Sequence, residues 1–152
     1  MSDHKAAIHW QHPSPDFGRG KYSREHTWTF DGGITVAASS SPSVVPVPYS
    51  NPANVDPEEA FIAAISSCHM LSFLYVAAKA GFAVESYDDQ AVGVMAKNDL
   101  GVLWVSAVTL HPQIVYGGEK QPTPTDVDHL HHLAHEQCFI ANSVRTDIRV
   151  AS

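Results

Sequence analysis

The tetrapeptide Asp56-Pro57-Glu58-Glu59 constrains this chain more than any other stretch, because it stacks several helix-start signals on one another. Asp56 suits an N-cap, Pro57 suits the first helical position, where its missing N–H costs nothing, and the two glutamates suit the positive end of the helix dipole. Asp56 and Glu59 also have capping-box spacing. Neither Pro nor Gly follows until Gly81, so one long helix is expected from here to the neighbourhood of Gly81. Ala63, Ala64, Ser66 and Ser67, with apolar residues on most sides, predict a buried, closely packed helix at the core of the fold.

On either side of this helix the pattern is β. Tyr22 to Phe30 alternates, with Tyr22, Arg24, His26, Trp28 and Phe30 on one face. Asp31-Gly32-Gly33 turns the chain into Ile34–Ala37, which predicts a hairpin. Ser39 to Asn54 carries four prolines and three consecutive serines, a composition for a long connecting loop. Val84–Ala96 and Leu103–His111 predict a second hairpin about the turn-rich Lys97–Gly101. Tyr116 to Pro124 reads as loop, Thr125 as the cap of a second helix carrying His129 to Gln137, and Arg145–Val150 as a last strand. The order β-β, long helix, β-β, helix, β argues α+β with antiparallel sheets around the long helix rather than a doubly wound parallel sheet. At 152 residues a single domain over 1–152 is expected.

Composition narrows the function classes. The formal net charge of -7 argues against nucleic-acid or anionic-membrane binding. Met1–Trp10 lacks the basic and apolar pattern of a secretory signal, and Ala60–Phe73 is short and polar-interrupted for a membrane span, so a soluble, cytoplasmic protein is expected. Only two cysteines occur, Cys68 and Cys138, too few for a secreted disulfide framework. Taken alone, Cys68 reads as a core thiol, since it lies too deep in its helix for the N-terminal field and has apolar neighbours. Cys138 lies where the second helix gives out, a place from which a thiol can move onto an oxidised partner; the plain alternative is another buried thiol.

Read together, the two neighbourhoods say more. Asp56-Pro-Glu-Glu-Ala-Phe-Ile-Ala-Ala-Ile-Ser-Ser-Cys-His-Met-Leu71 resembles the helix of the OsmC/Ohr family, in which a Pro-Glu pair opens the helix and the peroxidatic cysteine follows ten residues after the glutamate, here Glu58 and Cys68. Ala134-His-Glu-Gln-Cys-Phe-Ile-Ala-Asn-Ser143 resembles the segment around that family's second cysteine. The resemblance extends from about Trp28 to Val150. It implies an OsmC-like fold, an intertwined homodimer, and a thiol peroxidase acting on organic hydroperoxides and hydrogen peroxide in oxidative stress defence. Cys68 would become a sulfenic acid and then form a disulfide with Cys138. No metal, haem or other cofactor is implied; the partner is an external dithiol reductant, protein-bound lipoamide in Ohr-like members. The family also sets an arginine beside the thiol, for which Arg24 is the choice and Arg19, in its glycine context, the competitor. Ser66-Ser67 and His69-Met70-Leu71 depart from many Ohr proteins and mark a distinct branch.

Helix geometry adds a constraint of its own. Ten residues at ~1.5 Å each put Glu58 about 15 Å along the axis from Cys68. If Glu58 holds an arginine at the thiol, it does so from a second subunit or at a distance through an intervening residue, and an obligate homodimer with composite sites is expected; otherwise Glu58 only matches the helix dipole. His69 either tunes the thiol or points away. His129, His131, His132 and His135 include pairs at metal-sharing spacing, but with no identifiable third ligand they read as a solvated or hydrogen-bonded helix face. The competing reading from another class is an OsmC-like dimer that binds an apolar ligand or partner, with structural cysteines.

Overall fold

Both halves of the capping box at Asp56 form: the Glu59 N–H donates to Asp56 Oδ1 at 2.7 Å and the Asp56 N–H to Glu59 Oε2 at 3.1 Å. Helix α1 runs Pro57–Lys79, and Gly81, at φ +81°, supplies the left-handed turn that ends it. Among the described residues, 1–151, the computed structural model holds this helix, a second one, and eight strands, an α+β fold. Contacts divide the chain into two units, Met1–Ala60 and Phe61–Ser152.

The first unit is a three-stranded antiparallel sheet in the order β1 (Ala6–His9), β2 (His26–Phe30), β3 (Thr35–Ala38). The expected hairpin is β2–β3, with Gly33 at φ +88° in its turn. Its first strand begins at His26 rather than Tyr22, because the residues before it are spent on the Ser/Pro loop. The Arg24 N–H donates to Tyr49 O at 2.9 Å, and the Glu25 carboxylate accepts from Asn51 Nδ2 at 2.8 Å. Hydrogen bonds from Asn51 and then Ser23 lower the Glu25 pKa from its ordinary value. Strand β1 was not expected, since four residues are too few to show a period; it places Ile8 across from Trp28.

In the second unit α1 is buried along one stripe only: Ile65, His69, Phe73, Val76 and Ala77. Ala63, Ala64, Ser67, Leu71 and Tyr75, which composition assigns to a helix buried on most sides, are exposed. By length and apolarity alone α1 could cross a bilayer; its inner stripe enters two apolar cores. The first joins Phe73, Val76, Ala77 and Phe82 to Leu130 and Ala134 of α2 (Pro124–Gln137); the second joins Ile65 to Val108 and Leu110.

The run Val84–Ala96 is two strands rather than one, β4 (Ala83–Asp89) and β5 (Val92–Lys97). Asp89 makes the corner: one carboxylate oxygen accepts from the His111 N–H at 2.6 Å and the other from the Ser66 hydroxyl of α1. Strand β5 pairs with β6 (Leu103–Leu110) in the expected hairpin, whereas β4 pairs with β7 (Pro112–Gly117), which takes Tyr116 and Gly117 out of the expected loop. The final strand, β8 (Asp147–Val150), runs parallel to β6, so that sheet is mixed, not wholly antiparallel. The cap of α2 is Thr123, two residues before the expected Thr125. Its hydroxyl accepts from the Asp126 N–H at 3.2 Å, and the Asp126 carboxylate accepts from the Thr123 N–H at 2.8 Å, with Pro124 at the first helical position. The Thr123 hydroxyl, which also donates to the Asp126 carboxylate at 2.7 Å, and then the Thr123 N–H lower the Asp126 pKa.

Phe73 is fully buried at the joint between α1, α2 and β4. Phe73→Ala is expected to lower stability by about 3–5 kcal/mol, read as a fall in the urea midpoint at unchanged slope.

Candidate functional site

The two cysteines come together in the second unit because α2 stops where it does. Cys138 is the C-cap of α2, extended at φ -71°, ψ 113°, and it is completely buried. The chain then tightens into a 3-10 turn at Ala141–Ser143. Asn142 fastens that turn through Nδ2, which donates to Glu136 O and Cys138 O, both at 2.9 Å, and the Ser143 hydroxyl donates to Phe139 O at 2.7 Å. Asn142-Ser143 is therefore a brace for the segment behind the cysteine.

The brace aims two consecutive amides at sulfur. Ile140 N–H donates to Cys68 Sγ at 3.5 Å and Ala141 N–H to Cys138 Sγ at 3.3 Å. Both cysteines are free thiols. Burial pushes the Cys138 thiol up to about 11, and its hydrogen bond to Cys68 pushes the same way; the Ala141 and Ile140 amides act against them. Cys138 thus keeps its proton at neutral pH.

Cys68 opens on a cleft of about 670 Å³ whose walls include Leu71, Ser72, Tyr75, Phe139 and Asn142. Leu71, Tyr75 and Phe139 are 60, 56 and 83 % exposed, an apolar rim at the mouth of a thiol site. Such a cleft suits a molecule with an apolar body and a small polar end.

The remaining candidates fall in different places. Arg24 is half-buried in the first unit, its guanidinium 3.6 Å from the Tyr22 ring centroid and donating to Gly20 O at 2.7 Å. It lines a cleft with Trp10, Phe17, Tyr22 and His26. Arg19 is exposed and pairs with Asp16 at 3.6 Å. Glu58 stands in the first turn of α1, ten residues from Cys68 along the same helix.

His69 turns to α2 and away from any bond with sulfur: its Nε2 and the Nδ1 of His131 lie 3.0 Å apart, with the rings nearly parallel at 11°. The two are 1 and 9 % exposed. His131 also packs on Phe73, with 4.5 Å between ring centroids. So the histidine-rich face of α2 is divided: His131 is inward, while His129, His132 and His135 are exposed, His132 beside Glu136 at 3.3 Å. Among the described residues, no group of three or more His, Cys, Asp or Glu is arranged to hold a metal. The inward pair was missed at the sequence level, though a signal existed: His69 lies four residues from both Ile65 and Phe73, on the buried stripe.

Burial, then the neighbouring His131 and His135, lowers the His69 pKa to about 4 against an ordinary 6.5; burial lowers His131 too. The neutral form is the folded form, so the unfolded chain binds more protons between these values and stability is lost as pH falls from about 6.5 towards 4. Urea unfolding across that window is expected to show a loss on the order of 3 kcal/mol, and His69→Gln a distinctly flatter profile. A wild-type profile flat from pH 7 to 4 contradicts this.

The sequence model of the OsmC-like protein family matches residues 50–152. An OsmC-like protein of unknown function from Vibrio cholerae is 55 % identical, over 99 % of each chain, with a TM-score of 0.94. Two organic hydroperoxide resistance proteins share the fold at lower identity. That of Elizabethkingia anophelis is 19 % identical over 99 % of this chain and 93 % of its own, TM-score 0.72. That of Bacillus subtilis is 17 % identical over 98 and 96 %, TM-score 0.70. No curated protein matches the sequence.

Proposed function

Because the chain belongs to the OsmC-like family, we propose that it is a cysteine-based hydroperoxide reductase of oxidative stress defence, acting in the cytoplasm as a homodimer. The observation that carries this reading is the meeting of its only two cysteines beneath an apolar-rimmed cleft, each sulfur accepting a backbone N–H. The Cys68 thiolate attacks the terminal oxygen of a hydroperoxide ROOH, the O–O bond breaks, and RO⁻ leaves to take up a proton as the alcohol. Cys68 is left as a sulfenic acid. The Cys138 sulfur then attacks Cys68 Sγ, its proton departing with the expelled hydroxide as water, and a disulfide forms. A dithiol returns both cysteines to thiols, protein-bound lipoamide being the one the family resemblance suggests.

The Leu71, Tyr75 and Phe139 rim supports an organic hydroperoxide over hydrogen peroxide as the preferred substrate. The exposed small and apolar residues of α1 support burial against a second copy. Arg24 and Glu58 enter through the resemblance, Arg24 as the cation beside the thiolate and Glu58 as its carboxylate partner from the other subunit; Arg24→Lys and Glu58→Gln test them. The complete burial and high pKa of Cys138 favour one other reading, a ligand-binding dimer with structural thiols.

Mass spectrometry after one equivalent of cumene hydroperoxide separates the two. The peroxidase rapidly loses two hydrogens through a Cys68–Cys138 disulfide; a ligand-binding dimer does not. Cys68→Ser is expected to abolish peroxide consumption, while Cys138→Ser retains a single round of sulfenic acid formation. A wild-type rate no faster than that of free cysteine would refute the enzyme.

A further inference from the structure

The reaction proposed above needs Cys138 held against Cys68; the Ile140 N–H ties the following turn to Cys68 Sγ, but that bond does not fix the register of α2 itself on α1. Phe73, Leu130 and Ala134 bury the face between α1 and α2, but apolar burial is non-directional and tolerates rotation and sliding of one helix on the other. A buried hydrogen bond does not. Among the described residues, the direct side-chain hydrogen bond between the two helices is that of His69 with His131. His69 is the residue after Cys68. His131 lies seven residues before Cys138, which brings it to nearly the same face of α2 about two turns away.

We infer that the His69–His131 bond positions the cysteine pair, locking the register of α1 on α2 and so setting how often the two sulfurs meet. The inference rests on the two-cysteine reading. The bond needs one ring nitrogen to donate and the other to accept, which a neutral pair satisfies and a doubly protonated pair cannot. Nor does the surrounding structure welcome a cation. His135 on α2 is a further potential cation; Asp89 on β4 is committed to Ser66 and the His111 N–H. Asp89 favours a cation on both rings and Asp128 of α2 on His131, but burial outweighs them; Tyr87 of β4 and Tyr116 of β7, packed on the same core, carry buried hydroxyls without partners among the described residues. His69 Nδ1 is likewise buried and without a partner. Acid therefore opens the pair and frees the end of α2.

Equilibration of the purified protein in glutathione redox buffers, catalysed by a small diselenide so that it also proceeds at pH 5, reads the effective concentration of one cysteine for the other without any peroxide. His131→Phe, which keeps an aromatic ring and removes the bond, is expected to lower that concentration about tenfold or more at pH 7. His69→Gln combined with His131→Asn replaces the two bonding nitrogens by amide groups of similar placement that do not titrate. It is expected to restore the wild-type value to within about threefold and to abolish the fall that the wild type shows between pH 7 and 5. A wild type that forms no Cys68–Cys138 disulfide overturns the two-cysteine reaction and the inference with it. A wild type that forms the disulfide no better than His131→Phe overturns the inference alone. Should His131→Phe not fold, an acid-dependent fall that persists in the double amide variant overturns it equally.

Discussion

Burial of one narrow stripe of α1 is the constraint on which the second unit depends. Ile65 enters one core, Phe73, Val76 and Ala77 enter the other, and His69 stands between them. A helix presents such a stripe because residues three and four apart share a face. The same geometry leaves Cys68, the neighbour of His69, at the margin of the stripe, half-buried and open to a cleft. A thiol one position round the helix would be sealed in the core or wholly in water. How open Cys68 is depends on where the stripe ends.

The second cysteine reaches that margin by a different device. α2 ends on Cys138, and the tight turn that follows, braced by Asn142 and Ser143, delivers the Ile140 and Ala141 amides to the two sulfurs. The sulfurs are then unequal. Cys138 is buried and holds its proton, while Cys68 accepts the Ile140 N–H and opens on the cleft. The proposed reaction would use that asymmetry, one sulfur meeting the substrate and the other held in reserve.

The unit also contains more buried polar groups than its cores need for stability. His69, His131, Tyr87 and Tyr116 lie in or against the same apolar cluster, and three of their polar atoms have no partner among the described residues. Each costs free energy that a Leu or Phe would not. Burial drives the tyrosine hydroxyls up and the imidazoles down in pKa, so all four are neutral at pH 7. A core built this way is sensitive to acid where an all-apolar core is not.

Much of this was legible in the chain, and the division follows from range. The α1 cap and terminus, the β2–β3 and β5–β6 hairpins and the α+β class rest on signals within a few residues of one another, and the family motifs around Cys68 and Cys138 are equally local. Long-range choices were not legible. A run such as Val84–Ala96 carries no mark that Asp89 will break it and send β4 to β7; only the His111 N–H and the Ser66 hydroxyl, distant in sequence, make that corner. Thr125 was the expected cap, and the helix instead starts two residues earlier, capped by Thr123 with Pro124 at its first position. Composition marked α1 as apolar on most sides, but which side is buried depends on what packs against it. By itself, then, the sequence determined the helix that carries Cys68 and the kinship that makes its thiol of interest. That Cys138 would meet Cys68 was expected only through the family resemblance; tertiary structure alone decided that His69 joins His131, because contacts between α1 and α2 leave no local pattern in either segment.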